Sequence, residues 1–238
     1  MTPGTRAIVT GAGKGIGRAV ALALLEAGYR VALFTRTGSD LDAFASSKAI
    51  LADRILTGTG DVADEAAVGR FVGEVESRWN GIDLLVNNAG LGIMAPVHEL
   101  KVEDWDRMMG ANLRGTFLFT RAVVPAMIRQ GGGIIINIAS IAGKSGFASG
   151  SGYAASKHAV MGFTDSLWRE LRQHNIRVTA ICPGSVDTHF LPAGPGASGH
   201  ENMMLPEDVA EAVLYVARQP DRLFVKEIEL RITHPGKP

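Results

Sequence analysis

The stretch "RAIVTGAGKGIG", residues 6–17, decides the fold because it passes from one kind of local structure to another. It begins with a short apolar and β-branched run that predicts a buried strand. Glycines at 11, 15 and 17 follow with the spacing G-x-x-x-G-x-G, and a helical pattern starts at Ile16. A strand that turns through glycines into a helix directs backbone amides toward an anion such as a phosphate. The stretch therefore predicts a phosphate-binding turn, with a simple strand–helix turn as the alternative.

Outside this stretch, short apolar runs alternate with longer helical patterns along the chain. Strands are expected at 6–10, 30–35, 53–57, 82–88, 133–140, 176–182 and 226–232, and helices at 16–27, 64–79, 103–129, 153–173 and 207–218. Several strands are apolar on both faces, as in a parallel sheet covered by helices on both sides. The alternation predicts the α/β class, with residues 1–238 forming a single-domain Rossmann fold around a doubly wound parallel sheet of about seven strands with helices on both faces.

Composition argues against several classes of protein. The 24 basic and 24 acidic residues give no net attraction to nucleic acid or to an anionic membrane. Apolar runs stay well short of the about 20 residues that cross a bilayer, and the N-terminus lacks the pattern of a signal peptide. The single cysteine, Cys182, cannot form an internal disulfide, which fits a reducing, cytoplasmic location. No spacing of His, Cys and Asp suggests a metal site.

The end of the second predicted strand indicates which dinucleotide would bind. A protein that binds NAD places an acid there for the ribose 2′-hydroxyl. Here the strand ends in "FTRT", with Thr35 and Arg36 and no carboxylate before Asp40, while Lys14 lies inside the glycine turn. Two cations suit a 2′-phosphate, and a guanidinium can bind one through two hydrogen bonds. NADP(H) is therefore favoured over NAD(H), with solvated surface charges as the alternative interpretation of Lys14 and Arg36.

A second candidate feature is the stretch "GYAASK", residues 152–157, in a predicted helix. Tyr153 and Lys157 are four positions apart and so project from one helix face. A phenol titrates near 10, and proton exchange with an alcohol near neutrality needs a pKa about three units lower, or roughly 4 kcal/mol. A nearby ammonium can supply much of this. Ser140 ends the fifth predicted strand, where the ligand crevice of such a sheet lies, whereas a surface Tyr–Lys pair is the alternative.

Several motifs follow one another in a characteristic order. They are "TGAGKGIG" (10–17), "DV" (61–62), "NNAG" (87–90), "NLRGTF" (112–117), "IASIAG" (138–143), "YAASK" (153–157) and "PGSVDT" (183–188). Through these motifs the chain resembles the short-chain dehydrogenases/reductases of the compact single-domain type, strongly from about residue 5 to 190. The resemblance implies an oxidoreductase that transfers a hydride between nicotinamide and a carbonyl or secondary alcohol.

The resemblance also implies roles for four catalytic residues. Tyr153 would be the general acid or base, and Lys157 would lower the pKa of Tyr153 and bind the nicotinamide ribose. Ser140 would orient and polarise the substrate carbonyl. Asn112 would hold a water molecule that completes a proton relay to solvent. On chemistry alone, an Asn112 side chain bonded to the backbone inside a helix is the alternative.

The same resemblance implies a dinucleotide site spread over five of the motifs, to which the charge at the end of the second strand adds Arg36. Its residues would be Gly11, Gly13, Lys14, Gly15, Ile16, Gly17, Arg36, Asp61, Val62, Asn88, Ala89, Gly90, Tyr153, Lys157, Pro183, Gly184, Val186 and Thr188. Asn87 would stabilise the sheet instead.

Two further parts of the sequence bear on the substrate and on the partner subunits. The Gly- and Pro-rich stretch 189–205 is expected to form a lid or pocket wall, with Phe190, Leu191 and Phe147 as apolar candidates. These residues predict a pocket that is more apolar than charged, which favours a small-molecule carbonyl or alcohol substrate. In relatives, the helices predicted at 103–129 and 153–173 form a subunit interface, so a homodimer or homotetramer is expected.

Two alternatives stay open. One is a 3-oxoacyl-(acyl-carrier-protein) or acyl-CoA reductase, although the C-terminal "EIELRITHPGKP" departs from the "NGG" ending of many such reductases. The other is a catalytically silent, dinucleotide-sensing protein. Such a protein would have no need of Ser140, Tyr153 and Lys157 together.

Overall fold

The computed structural model describes residues 4–47, 49–188, 190 and 203–233. The strands are β1 Arg6–Thr10, β2 Arg30–Thr35, β3 Ile55–Thr59, β4 Leu84–Asn87, β5 Gly133–Ile138, β6 Ile176–Pro183 and β7 Glu227–Leu230. The α-helices are α1 Gly15–Glu26, α2 Gly38–Ser47, α3 Glu65–Trp79, α4 Val102–Met109, α5 Gly115–Gln130, α6 Ser151–Leu171 and α7 Pro206–Ala217. Short 3₁₀ turns lie at Ala49–Arg54, Ile141–Gly143 and Arg172–His174, and a π-helical turn lies at Gly110–Arg114.

The strands form one sheet in the order β3-β2-β1-β4-β5-β6-β7, and every neighbouring pair is parallel. The chain adds β2 and β3 on one side of β1 and then returns to place β4 on the other side. The connections that leave β1 and β4 therefore run in opposite directions, which opens a crevice at the carboxyl ends of these two strands. The predicted doubly wound parallel sheet of seven strands is confirmed.

The helices cover both faces of the sheet, as the alternation of side chains along β1 shows. Ala7 and Val9 pack into an apolar cluster with α1 and α7, whereas Ile8 between them packs into a second cluster with α3 and α5. Successive strand residues point to opposite faces, so a strand that is apolar throughout needs a helical layer on each side. No helix in the described ranges is both long and apolar enough to span a bilayer.

Two elements differ from the sequence-based prediction. The single helix expected at 103–129 is divided into α4 and α5 by the π-helical turn at Gly110–Arg114. A π turn places one extra residue in a helix and often marks a functional site. The helix α2 was not predicted, because its sequence "GSDLDAFASS" has little apolar periodicity.

A chain of buried amides and hydroxyls crosses the middle of the sheet. Asn87 and Asn137 are register partners on β4 and β5, and the Asn87 Nδ2 donates to Asn137 Oδ1 at 2.9 Å and to Thr120 Oγ1 at 3.2 Å. The Asn137 Nδ2 in turn donates to Thr164 Oγ1 at 2.8 Å. These bonds tie two central strands to α5 and α6, which agrees with the sheet-stabilising role expected for Asn87.

Replacing Asn137 with alanine should destabilise the protein by about 2–3 kcal/mol, because the change removes two buried hydrogen bonds, one from Asn87 and one to Thr164, and leaves a cavity at the centre of the sheet. Equilibrium denaturation measures this loss. The control is Gln173→Ala, which removes one bond between an exposed amide and the Glu170 carbonyl and should stay within about 0.5 kcal/mol of the wild type. Equal effects of the two variants would contradict the structural importance of this network.

Candidate active site

The glycine turn after β1 is shaped by backbone geometry that other residues do not tolerate. Gly11 and Gly15 have φ angles of +65° and +51°, in the left-handed region. A Cβ at Gly17 would lie 2.2 Å from the Gly11 carbonyl oxygen and 2.4 Å from the Asn88 side-chain nitrogen. The N-terminus of α1 has no side-chain cap, so its first amide groups remain available to a ligand. This arrangement fits a pyrophosphate at the start of α1.

The turn after β4 is fastened to the glycine turn by hydrogen bonds. The Asn88 Nδ2 donates to the carbonyl oxygens of Thr10 and Gly11, at 2.9 and 3.2 Å. The Thr10 hydroxyl oxygen accepts from the amides of Asn88 and Ala89, both at 3.0 Å. The side chain of Asn88 thus braces the two turns that border the crevice.

Arg36 follows β2, and Lys14 lies in the glycine turn with the Asp40 carboxylate beside it. Arg36 is exposed, and it has no ion-pair partner among the described residues. The Lys14 ammonium lies 3.5 Å from Asp40 Oδ2. Asp40 belongs to the first turn of α2 and packs so closely that a Cβ at Gly13 would meet it at 3.0 Å. In the sequence, no carboxylate follows the strand before Asp40. The sequence pattern does not indicate that α2 places the Asp40 carboxylate beside the glycine turn.

Tyr153 and Lys157 lie on α6, and Ser140 lies just beyond β5. The Ser140 side chain is near enough to the Tyr153 hydroxyl to lower the pKa of the phenol, and the Ser140 Oγ accepts from the Ala142 amide at 3.1 Å. The Lys157 Nζ donates to the Ile138 carbonyl at 2.9 Å and stands 5.9 Å from the centre of the Tyr153 ring. All three side chains are buried. The sequence motif therefore brings together two hydroxyls and an ammonium group in one place.

The pKa of Tyr153 corrects the sequence-based expectation. Burial raises this pKa above its ordinary value of 10.0, and the hydrogen bond from Ser140 lowers it only in part. Burial also lowers the pKa of Lys157 to about 8. The Lys157 ammonium is bonded to a backbone carbonyl and not to the phenol, so the protein by itself does not make Tyr153 acidic.

Asn112 sits inside the π-helical turn, and its side chain is fully engaged within the protein. Its Oδ1 accepts from the Leu91 amide at 2.8 Å, while its Nδ2 donates to the Leu91 carbonyl at 2.9 Å and to the Ser156 hydroxyl at 2.8 Å. The Ser156 hydroxyl donates to the Tyr153 carbonyl at 2.7 Å. The side chain follows the backbone-bonding alternative and helps to position α6. The water relay stays a prediction.

These groups open onto one cleft of about 1950 Å³ at the carboxyl ends of the strands. Nearly all the residues expected at the site line it: Gly11, Gly13, Lys14, Gly15, Ile16, Arg36, Asp61, Val62, Asn88, Ala89, Gly90, Ser140, Tyr153, Lys157, Pro183, Gly184, Val186 and Thr188. Gly17 and Asn112 do not line the cleft. Gly17 allows α1 to pack closely against Gly11, and Asn112 is hydrogen-bonded to Leu91, which lines the cleft. Within the described ranges, no group of His, Cys, Asp and Glu side chains could hold a metal ion.

The segment after β6 joins the two ends of this cleft. The Gly184 amide donates to the Leu230 carbonyl at 2.9 Å, and the Ser140 hydroxyl lies 3.5 Å from the Pro183 carbonyl oxygen. At its other end, the Thr188 methyl would lie 3.0 Å from a Cβ at Gly15. The segment thus extends from the reactive hydroxyls to the glycine turn.

The substrate end of the cleft contains predicted and unpredicted residues. Phe147 and Phe190 both line it, and the Phe190 ring lies 5.8 Å from that of Tyr153. Leu191 and most of the expected 189–205 lid lie outside the described residues. Met203, inside the expected 189–205 stretch, also lines the cleft, as does Arg231, which sequence reasoning missed. The position of Arg231 at the carboxyl end of the last predicted strand was the available signal.

Comparisons with known proteins agree with this architecture. A family model described as short chain dehydrogenase matches residues 5–193. An uncharacterized oxidoreductase of Staphylococcus aureus (strain MW2) is 36% identical over 225 residues, covering 94% of this chain and 96% of the relative.

Two solved structures are similar over almost the whole chain. An alcohol dehydrogenase from the archaeon Thermococcus sibiricus, complexed with 5-hydroxy-NADP, has a TM-score of 0.89 and 29% identity, covering 98% of this chain and 99% of that one. The closed form of a serine dehydrogenase complexed with NADP⁺ has a TM-score of 0.88 and 34% identity, covering 95% and 94%. The sequence-based resemblance is confirmed, and the chain belongs to the short-chain dehydrogenase family of oxidoreductases.

Proposed function

We propose that the protein is an NADP(H)-dependent oxidoreductase that interconverts a small carbonyl compound and its secondary alcohol. The observation that carries this proposal is the meeting of Ser140, Tyr153 and Lys157 in the same cleft as the uncapped N-terminus of α1. The cleft is large enough for a dinucleotide and a small substrate together. The similar structures solved with NADP, and with an NADP derivative, support the choice of cofactor.

The residues present fit such a cofactor. The glycine turn and the start of α1 would hold the pyrophosphate, Lys14 and Arg36 would hold the 2′-phosphate, and Lys157 would bind the nicotinamide ribose. When bound, the reduced cofactor supplies the hydride that this chemistry requires.

The chain's own residues would control the proton and the carbonyl oxygen. The Ser140 hydroxyl donates a hydrogen bond to the carbonyl oxygen and polarises it. Tyr153 donates its proton to the same oxygen as the hydride reaches the carbon, so the product is the neutral alcohol. The phenolate left behind is stabilised by the Ser140 hydrogen bond and by the nearby Lys157 ammonium.

Because burial raises the pKa of Tyr153, the phenol holds its proton at neutral pH and has it available for the carbonyl oxygen during reduction. The reverse reaction needs the phenolate as a base. The protein residues alone do not lower the pKa enough for this, so the positive charge of oxidised nicotinamide would provide the rest.

We also propose a homodimer or homotetramer that forms through α4, α5 and α6, and a cytoplasmic location. Phe117 on α5 has 42% of its surface exposed, and its ring meets the half-buried Phe163 of α6 at 6.3 Å, edge to face. An aromatic surface shared by two helices suits a self-complementary interface. The one cysteine, Cys182, is free and buried, which suits a reducing compartment.

The function is tested by following NADPH oxidation with a panel of ketones, aldehydes and an acetoacetyl thioester. Turnover of ketones or aldehydes supports the proposal, and a strong preference for the thioester would favour an acyl-thioester reductase. Binding of NADPH without its oxidation across the panel would favour a dinucleotide-sensing protein.

The Tyr153→Phe variant should lose turnover by about 10³-fold or more, because the proton donor is removed while the ring and its packing remain. NADPH binding, followed by fluorescence, should be nearly unchanged. Tyr215→Phe is the matched control, since Tyr215 is 54% exposed and lies on α7, away from the cleft. Wild-type turnover by Tyr153→Phe would refute the catalytic assignment.

Arg36→Asp should weaken NADPH binding by about 10–100-fold and NADH binding far less, because a charge-assisted pair with the 2′-phosphate contributes about 1.5–3 kcal/mol. Titration with each dinucleotide measures both affinities. Arg30→Asp is the control: Arg30 is also exposed, but it begins β2 at the opposite edge of the sheet.

A variant with the opposite expected effect completes the comparison of cofactors. Asp40→Asn removes the carboxylate that pairs with Lys14, so it should shift the preference further toward NADPH. If Arg36→Asp weakened NADPH and NADH equally, the assignment of NADP(H) would be overturned.

The pH dependence of reduction should show the titration of Lys157. Since burial lowers the pKa of this lysine to about 8, the ammonium is present below that pH and is lost above it. The kcat/KM for NADPH, which reports on the free enzyme, should fall above pH of about 8. Lys157→Met should be slow at all pH values and lack this limb, whereas a flat wild-type profile up to pH of about 10 would contradict the assignment.

A further inference from the structure

We propose that Arg231 selects substrates that carry a carboxylate, so that the substrate class is a small oxo acid and the corresponding hydroxy acid. This inference rests on the proposed function and specifies the substrate for the same cleft. It also modifies the expectation that the pocket is more apolar than charged, because Arg231 lines the same cleft as Phe147 and Phe190.

The sheet register places Arg231 near the reacting groups. Arg231 directly follows Leu230, which is the register partner of Pro183 on β6. The Pro183 carbonyl oxygen lies 3.5 Å from the Ser140 hydroxyl, just beyond β5. Two strand spacings of about 4.8 Å therefore separate the backbone at Ser140 from the backbone at Leu230, or about 10 Å. An arginine side chain can cover much of this distance, and a substrate of a few carbon atoms can cover the rest.

Arg231 also lies on the correct face of the sheet. The Arg231 Nε donates to Glu229 Oε1 at 2.5 Å, and Glu229 shares its face of β7 with Glu227. Both glutamates bind the Lys144 ammonium, at 2.6 Å from Glu227 and 2.5 Å from Glu229. Lys144 follows the 3₁₀ turn at Ile141–Gly143, and a Cβ at Gly143 would lie 2.8 Å from the Lys157 carbonyl oxygen on α6. Arg231 is therefore on the face that carries the catalytic helix.

The guanidinium is oriented by its partner and still has free donors. Glu229 engages only the Nε, and the two terminal amino groups have no hydrogen-bond partner in the described part of the chain. Hydrogen bonds from Lys144 and, to a smaller extent, from Arg231 lower the pKa of Glu229. The Glu229 carboxylate therefore stays charged and maintains its ion pair with Arg231. An arginine held through its Nε presents its terminal donors as a fork that matches a carboxylate.

The other cations that line the cleft lie away from the end of β7 or are already engaged. Lys14 and Arg36 border the glycine turn. Arg107 lies on α4, and the C-terminal end of this helix is on the β3 side of the cleft, since Gly110 lies close to Ala63, which follows β3. Lys157 is committed to the Ile138 carbonyl. Among the described residues that line the cleft, Arg231 is the cation left to meet the end of a substrate held at Ser140 and Tyr153.

The charge around Arg231 favours a carboxylate over a phosphate. Arg231 is one cation, and Glu229 is in direct contact with it. A phosphate dianion would face repulsion from Glu229 with a single guanidinium to offset it, whereas a singly charged, planar carboxylate matches the two free donors.

The test compares acids with their neutral esters. NADPH oxidation is measured with acetoacetate and methyl acetoacetate, and with 4-oxopentanoate and its methyl ester, for the wild type and Arg231→Gln. Arg231→Gln should lower kcat/KM for the acids by about 10–100-fold, mainly through KM, and leave the esters within about twofold. Arg231→Lys should retain part of the preference, because it keeps the charge and loses the fork.

The controls separate this effect from folding and from general electrostatics. Arg78→Gln removes an exposed arginine from α3 and should change neither the acids nor the esters. Thermal unfolding and NADPH binding of Arg231→Gln should match the wild type. An unchanged ratio of acid to ester in Arg231→Gln would overturn the proposal, as would a wild-type preference for hydroxyacetone phosphate over both oxo acids.

Failure of the proposed function would give a different result. If the wild type oxidises NADPH with none of these compounds, nor with the wider panel of carbonyl compounds, the proposed oxidoreductase activity fails. Binding of 3-hydroxybutyrate to the NADP⁺-loaded protein, measured by calorimetry, then tests Arg231 directly. Binding weakened about tenfold or more by Arg231→Gln would support the carboxylate site, and equal binding to the two proteins would overturn it.

Discussion

The close packing of two turns at the centre of the sheet is the constraint on which the rest of the structure depends. The start of α1 approaches the end of β1 so closely that Gly17 has no room for a side chain. The Asn88 amide then fastens the turn after β4 to the carbonyl oxygens of Thr10 and Gly11. This contact fixes the direction in which α1 leaves the sheet, and hence the place where its free amides can meet a phosphate. It also holds together the two strands between which the crevice opens.

The reactive half of the cleft is organised by burial more than by direct contact between its charges. Lys157 is a buried cation whose nearest fixed partner is a neutral carbonyl, so the free energy of desolvation lowers its pKa toward neutrality. The same burial raises the pKa of Tyr153. A protonated phenol and a weakly held ammonium are both sensitive to any positive charge placed beside them. In the proposed reaction, a cationic nicotinamide ring beside Tyr153 would lower the pKa of the phenol for alcohol oxidation, which would couple cofactor binding to reactivity.

The sequence was sufficient for the elements whose information is local. The glycine spacing, the apolar strands and the Tyr–Lys pair on α6 each depend on residues within a few positions of one another. What it did not reveal depends on tertiary packing. Asp40 reaches the glycine turn only because α2 folds back against Gly13, and the Asn112 side chain is occupied by Leu91 and Ser156 because a π turn directs it inward. In the protein without cofactor the pKa of Tyr153 is raised and not lowered, since helical spacing specifies the proximity of Lys157 but not the burial of the phenol.

The edge strand β7, which is the strand farthest from β1 on the catalytic side of the sheet, bears on substrate specificity. β7 pairs with β6 at the edge of the sheet, its Leu230 carbonyl accepts from the Gly184 amide, and Arg231 just beyond it lines the cleft. The ion pairs from Lys144 to Glu227 and Glu229 tie this strand to the segment that follows Ser140. A substrate anion held by Arg231 would therefore be held relative to Ser140 itself, because one charged network fixes both. On the proposed assignment, the strands near β1 would hold the dinucleotide, and a change of charge at the end of β7 would alter which substrates bind while leaving the distant glycine turn unchanged.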